Sequence, residues 1–365
     1  MKSNKITQRV LLLLIAVILL LLVGIIVFTG HQRDSVSKVG LIITGSVEEQ
    51  GWNFAHYQGV QYACETLGAE LLVKENVPEE KEACAAAVHA LVKDGASMIV
   101  LSSYAYPTLV EDVVKSYPEV AFYGISAECY AKNLTSYFGR MYQARYLAGI
   151  IAGSKTETDS IGYVAAMPNS EVNRGINAFT LGVRSVNPEA VVHVVWTGSW
   201  DSEEKETKAA TYLMEDKVAD VLTYHQNQHF VAKTADAEGV YSIGYNEAVE
   251  GLSERYLTAA VWNWDALYYA IVRELMMGET NTVKRHWFGI DTGVVELTEY
   301  SALVDEEIRQ KVEEAKKELM AGKNVFSDVI YDNKGLLRCG EGESVSDEIL
   351  LERMDWYVEG VRLDE

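Results

Sequence analysis

Eight aromatic side chains and four polar ones fall where they could grip a flat, heteroatom-rich ring. Trp52, Tyr104, Tyr106, Trp200, Tyr224 and Tyr245 stand in loops that follow apolar runs, and Trp262 and Trp264 follow another. Aromatic faces stack on planar rings, contributing about 1 kcal/mol beyond the area they bury. Asn53, His225, Asn227 and Asn246 lie among them and offer both donors and acceptors, which is what reading the edge of a heterocycle requires. Covalent chemistry is harder to find. His56, His225 and His229 could serve as bases, yet no nucleophile accompanies them at a recognisable spacing. A hydrolase acting on such a ligand would need clustered carboxylates, often with a metal. These loops instead present amides and aromatics, so binding without turnover is expected, and no cofactor.

The elements that must position these residues are written twice. Val39-Gly-Leu-Ile-Ile-Thr corresponds to Ile161-Gly-Tyr-Val-Ala-Ala, and Ala69-Glu-Leu-Leu-Val to Ala190-Val-Val-His-Val-Val. Ala96-Ser-Met-Ile-Val-Leu then matches Val218-Ala-Asp-Val-Leu-Thr, and Val120-Ala-Phe-Tyr-Gly-Ile matches Val240-Tyr-Ser-Ile-Gly-Tyr. The runs are separated by roughly 30, 30 and 20 residues in both halves, the self-similarity of a duplicated architecture. Helix-period stretches alternate with them: Asn53 to Leu67, Glu79 to Asp94, Tyr106 to Ser116 and Met141 to Ser154, then Val172 to Val186, Ser202 to Asp216 and Gln228 to Ala237. Strands alternating with helices predict a parallel sheet in each half. Ligands of such sheets sit beyond the carboxyl ends of the strands, where the aromatic loops lie. After Asn246 the repetition stops. An aromatic helix from Asp265 to Met277, a strand around Gly293-Val-Val-Glu-Leu and a helix from Asp305 to Met320 read as connections between lobes, followed by a strand-turn tail around Asp332-Asn-Lys-Gly.

Composition narrows the setting. At 365 residues, 48% of them apolar, the chain can bury two cores. A formal charge of −21 argues against nucleic acid, whose phosphates need a basic surface. Val10 to Phe28 is an unbroken apolar run led by Lys2, Lys5 and Arg9. It is long enough to span a bilayer, and its basic flank predicts a cytoplasmic N-terminus with everything beyond residue 30 outside. A cleaved signal peptide competes, but no small-x-small site is evident near Phe28-Thr-Gly. Cys64, Cys84, Cys129 and Cys339 lack metal-ligand or redox spacing, and none follows the apolar run as a lipid-bearing cysteine would.

Longer motifs carry a resemblance. Gly51-Trp-Asn-Phe-Ala-His, Thr135-Ser-Tyr-Phe-Gly-Arg-Met-Tyr-Gln-Ala-Arg-Tyr-Leu-Ala-Gly, Arg174-Gly-Ile-Asn-Ala-Phe-Thr-Leu-Gly, Val261-Trp-Asn-Trp and Met354-Asp-Trp-Tyr-Val-Glu-Gly-Val resemble the basic membrane protein family of ABC-transporter substrate-binding proteins, which includes purine-nucleoside receptor lipoproteins. The resemblance implies a type I periplasmic-binding-protein fold, two α/β lobes each built on a parallel sheet flanked by helices. It would close as a monomer on a purine base or nucleoside, at a bacterial cell membrane, for delivery to an ABC permease. Residues 1–37 would form the basic flank, anchor and linker; 38–136 with 264–298 the first lobe; 137–263 with 299–330 the second; and 331–365 a tail packed on the lobes. Matched positions put Trp52, Asn53, Tyr104, Phe138, His225, Asn227, Asn246 and Trp262 near the ligand, with Gly139 and Asn263 as hinges. At Asn227 and Asn246 relatives usually carry aspartate. An amide accepts ribose hydroxyls less well than a carboxylate, so a shift toward free base or a modified purine is expected, with lost binding or a sensory role as alternatives.

Overall fold

The computed structural model describes residues 37–48, 51–128 and 130–364. In chain order the first half runs β1 (Lys38–Ile42), α1 (Trp52–Leu67), β2 (Glu70–Lys74), α2 (Lys81–Lys93), β3 (Met98–Leu101), α3 (Tyr106–Leu109), α4 (Glu111–Ser116), β4 (Ala121–Ile125) and β5 (Leu134–Gly139). The second runs α5 (Met141–Lys155), β6 (Ser160–Ala165), α6 (Ser170–Val186), β7 (Val191–Trp196), α7 (Glu203–Glu215), β8 (Val221–His225), α8 (Phe230–Ala237), β9 (Tyr241–Asn246) and β10 (Tyr256–Trp262). The remainder comprises α9 (Trp264–Met277), β11 (Arg285–Phe288), β12 (Val295–Leu297), α10 (Glu306–Met320), β13 (Ile330–Tyr331), β14 (Leu337–Cys339), α11 (Asp347–Glu352) and β15 (Val361–Asp364).

Two sheets result. The first has the order β11-β5-β4-β3-β1-β2, and the second β12-β10-β9-β8-β6-β7-β15. All pairings within these two sheets are parallel except that of β12 with β10, and β13 and β14 form a separate antiparallel pair. Helices cover both faces, which is why β3 and β4 are continuous apolar runs buried at every residue. The direction of growth reverses between β1 and β3 in the first sheet and between β6 and β8 in the second. Connections leave on opposite faces there and open a crevice at the strand ends.

The chain crosses between sheets three times, after β5, after β10 and between β11 and β12. The crossings are tied together: the Arg140 N–H donates to Phe288 O (2.6 Å) and the Asn263 N–H to Val294 O (2.8 Å). Asn263 also caps α9, its Oδ1 accepting from the Ala266 N–H. Helix α9 then packs on α1 in the first lobe.

The expected lobe limits shift by a few residues. A boundary after residue 136 would put residues 137–139 in the second lobe, but β5 stays in register with β4 and β11 as far as Gly139, so all of it belongs to the first sheet. The expected first-lobe segment 264–298 ends too late, since β12 pairs with β10 and belongs to the second lobe. The tail is more than a strand and turn. Beyond the β13–β14 hairpin it supplies α11, which packs on α6, and β15, which extends the second sheet beside β7. The apolar run Val10–Phe28 lies outside the described residues; among those described, no helix is long and apolar enough to cross a membrane.

Candidate ligand-binding cleft

A cavity of about 720 Å³ lies between the carboxyl ends of the two sheets. That is within the roughly 300–1,000 Å³ range of small-molecule sites. From the first lobe it receives Trp52, Tyr104, residues 126–128, Phe138 and Trp287; from the second, residues 169–171, Arg174 and Trp200; from the tail, Leu351 and Glu352.

Each wall residue is placed by its local structure. Trp52 opens α1 after Gly51, whose φ of 107° suits glycine. Its indole N–H donates to Ser102 O (3.0 Å), holding the ring across the ends of β1 and β3 with 41% of the residue exposed. Behind it stands an aromatic stack. His56 lies 4.3 Å from Trp52 and 4.2 Å from Trp264, and Trp264 is stacked on Trp262 at 5.0 Å. Burial pushes the His56 pKa down to about 3, so this ring is neutral packing material. Tyr104 projects from the loop after β3, 77% exposed. Phe138, nearly buried, rests 4.9 Å from Trp262.

Three of the eight anticipated ligand residues, Trp52, Tyr104 and Phe138, line this cavity. Trp262 and Asn246 line a smaller one of about 270 Å³, which Trp52 also borders, so the indole partitions the two spaces. The remaining three face elsewhere. The Asn53 Oδ1 accepts from the Thr44 N–H (3.2 Å) and hydroxyl (3.0 Å), pinning the loop after β1. His225 is buried behind the wall, 4.1 Å from the Tyr245 ring. Burial, with Arg145 and Arg174 nearby, holds its pKa well below the ordinary value. Asn227 is exposed, and its backbone N–H donates to Trp200 O. Neither amide therefore reads the larger cavity. Asn246 has a backbone role besides, adopting φ 76°, a left-handed conformation asparagine tolerates better than most residues. Both anticipated hinges, Gly139 and Asn263, stand at crossings, and Gly139 lies tight against Trp262, with room for no Cβ: one would sit 2.4 Å from the Trp262 ring.

The cleft also contains residues that the sequence reading passed over. Glu171 and Arg174 project from the first turns of α6, whose start is capped by the Asn169 Oδ1 accepting from the Val172 N–H (3.0 Å). Glu171 Oε1 lies 4.0 Å from His225 Nε2. Burial raises the pKa of this carboxyl, and Arg174 opposes the shift. Arg174 is 4% exposed, donates to Leu350 O (3.3 Å) and lies 5.4 Å from the Trp287 ring. Trp287 is fixed from the other side by Arg140, 4.2 Å over its ring, and by its indole N–H donating to Gly139 O. A helix-start Glu-x-x-Arg reads by default as a solvated pair, and Trp287 sits in a four-residue strand whose neighbour β5 lies nearly 150 residues away. Only the crossing chain brings them to one cavity.

Two parallel sheets facing across a cleft of stacked aromatics and unspent polar groups define a solute-binding protein of the two-lobed periplasmic type. The family model for "ABC transporter substrate-binding protein PnrA-like" matches residues 36–326, and the chain belongs to that family. It is 30% identical over 335 residues to a purine-binding protein of Brucella abortus (strain 2308), covering 91% of this chain and 94% of that one. It is 31% identical over 336 residues to a putative ABC transporter glucose-binding protein of Haloferax volcanii, covering 91% and 82%. Among solved structures, a transcriptional activator of the comK gene from Bacillus halodurans superposes with a TM-score of 0.70 at 23% identity, covering 78% of this chain and 98% of that one. An ABC transporter solute-binding protein from Conexibacter woesei does so with 0.65 at 18% identity, covering 80% and 100%.

Proposed function

We propose that this solute-binding protein takes a purine base or nucleoside between its lobes and presents it to an ABC permease. In this reading it works as an extracytoplasmic monomer held to the bacterial membrane by residues 10–28. The observation that carries the ligand assignment is the set of flat faces, Trp52, Tyr104, Phe138 and Trp287, converging on one cavity. A purine would slot between them, and the purine-binding relative from Brucella supports the same class. Gly139 and Asn263, at the crossings, would absorb the rotation that brings the walls onto the ligand.

A sugar is the second reading, favoured by the Haloferax relative, because aromatic faces also stack on pyranose rings. Thermal-shift titration with purine bases, nucleosides and hexoses separates the two. A ligand at 100 times its Kd should stabilise the folded protein by about 2.7 kcal/mol. Trp52→Ala should lower purine affinity about tenfold. Stabilisation by hexoses and by no purine would overturn the purine assignment.

A further inference from the structure

Glu171 and Arg174 bring to the cavity wall an acceptor and a donor that the fold leaves unspent. Glu171 makes no hydrogen bond among the described residues, and it remains 32% exposed at the cavity wall. Arg174, three residues on, is almost wholly buried, has Leu350 O as its one hydrogen-bond partner among them, and has no carboxylate within 4.0 Å. A guanidinium carries five N–H donors, and those of Arg174 without a protein partner are open to the cavity. Residues three apart on a helix share a face, so the two groups present a carboxylate beside a guanidinium, with the Trp287 ring near Arg174.

We infer that Glu171 and Arg174 together read the edge of a planar heterocycle on which a carbonyl is followed by two N–H donors in a row, as on a 2-amino-6-oxopurine. Arg174 donates to the carbonyl oxygen, while the two Glu171 oxygens accept from the ring N–H and the exocyclic amine, the bidentate arrangement that carboxylates favour. The assignment rests on the purine reading and sharpens it. A 6-aminopurine offers Glu171 no donor in this pose, because its N1 is an acceptor and its C2 carries no amine, and it sets its 6-amine against the Arg174 donors. A 2,6-dioxopurine places its second carbonyl against the carboxylate, where two acceptors meet without a proton between them. Guanine and xanthine share the 6-carbonyl and N1–H and differ at position 2 and in the protonation of N3, so comparing them reports on the group that faces Glu171. The amides Asn227 and Asn246, which face away from this cavity, take no part.

Isothermal titration of the full chain with guanine, guanosine, xanthine and adenine tests this, alongside Glu171→Gln. Guanine should bind at least about tenfold more tightly than xanthine, since a site built to hydrogen-bond a group discriminates strongly against an analogue that cannot complete the bonds. Glu171→Gln should shrink that ratio severalfold, because its NH2 can donate to the second carbonyl, and its ligand-free melting temperature reports whether it folds. If guanine and xanthine bind equally, or a folded Glu171→Gln keeps the full ratio, the edge assignment is overturned while the purine reading stands. If no purine binds, both fall.

Discussion

At the scale of single residues, the cleft relies on polar groups whose environments are set by burial. Glu171 shows the consequence most directly. Its carboxyl titrates above the usual range because burial disfavours its charged form. The groups facing it are Arg174 on its own helix, His225 from β8, Tyr163 from β6 and Tyr245 from β9. His225 is held well below its ordinary value by burial and the nearby arginines, and the pKa values of both tyrosines are raised, so the Glu171 carboxyl is the group among them whose titration is moved upward from the acidic range. A raised carboxyl pKa means that its protonation favours the folded state. Its contribution to stability is therefore fully present below the unfolded pKa and is lost as pH rises through the folded value. Ligand binding through the ionised carboxylate runs the other way. Acidification should weaken binding at a pH above the ordinary carboxylate range while this group ceases to destabilise the free protein. Affinity measured against pH for the wild type and Glu171→Gln checks this, and parallel profiles would refute it. The aromatic walls were legible in the sequence because large rings in strand-end loops are conspicuous; Glu171 and Arg174 were not, because a carboxylate and a guanidinium at helical spacing look the same whether they face solvent or a cleft.

At the scale of elements, the second lobe is organised by the close pairing of α5 with α6. Gly149 and Gly182 sit where the two helices meet. A Cβ on Gly182 would lie 2.0 Å from the Tyr146 carbonyl oxygen, and one on Gly149 2.1 Å from that of Phe179. The obstacle in both cases is backbone, which cannot rotate aside. Gly182→Ala should therefore destabilise the protein by about 2–3 kcal/mol, despite alanine's better helix propensity. Chemical denaturation would show it, and an unchanged midpoint would mean that the helices can separate at little cost. The same pairing seats Glu171 and Arg174, since the first turns of α6 reach the cleft only when its later turns are held against α5. Strand and helix order were readable from the alternating runs. The tail was not, because β15 forms its partnership with β7 across more than 160 residues and nothing local distinguishes it from a loop.

At the scale of the whole molecule, the tail joins the lobes as well as lining the cleft. Asn173 and Asn177 of α6 donate to Met354 O and Trp356 O, fastening the segment to the second lobe. From there Asp347 forms a two-point ion pair with Arg140 at the first crossing (2.6 and 2.9 Å), and Glu352 meets Arg285 of the first sheet at 3.3 Å. The latter pair spans the lobes but is about half exposed, so its contribution should be small. Glu352→Gln is expected to change ligand affinity by less than about fivefold, equivalent to under 1 kcal/mol; a larger loss in a titration would show Glu352 touching the ligand itself. The sequence alone determined that there are two similar parallel-sheet lobes with aromatic loops at their strand ends, because periodicity and spacing are local quantities that survive without a structure. Only the tertiary structure decided which polar side chains face the cavity. Three crossings and a returning tail bring Trp287, Glu352 and the start of α6 together from distant parts of the chain, and turn Asn53 and Asn227 away from the cavity while Asn246 is left on the smaller one. Orientation depends on packing between elements, which no single segment encodes.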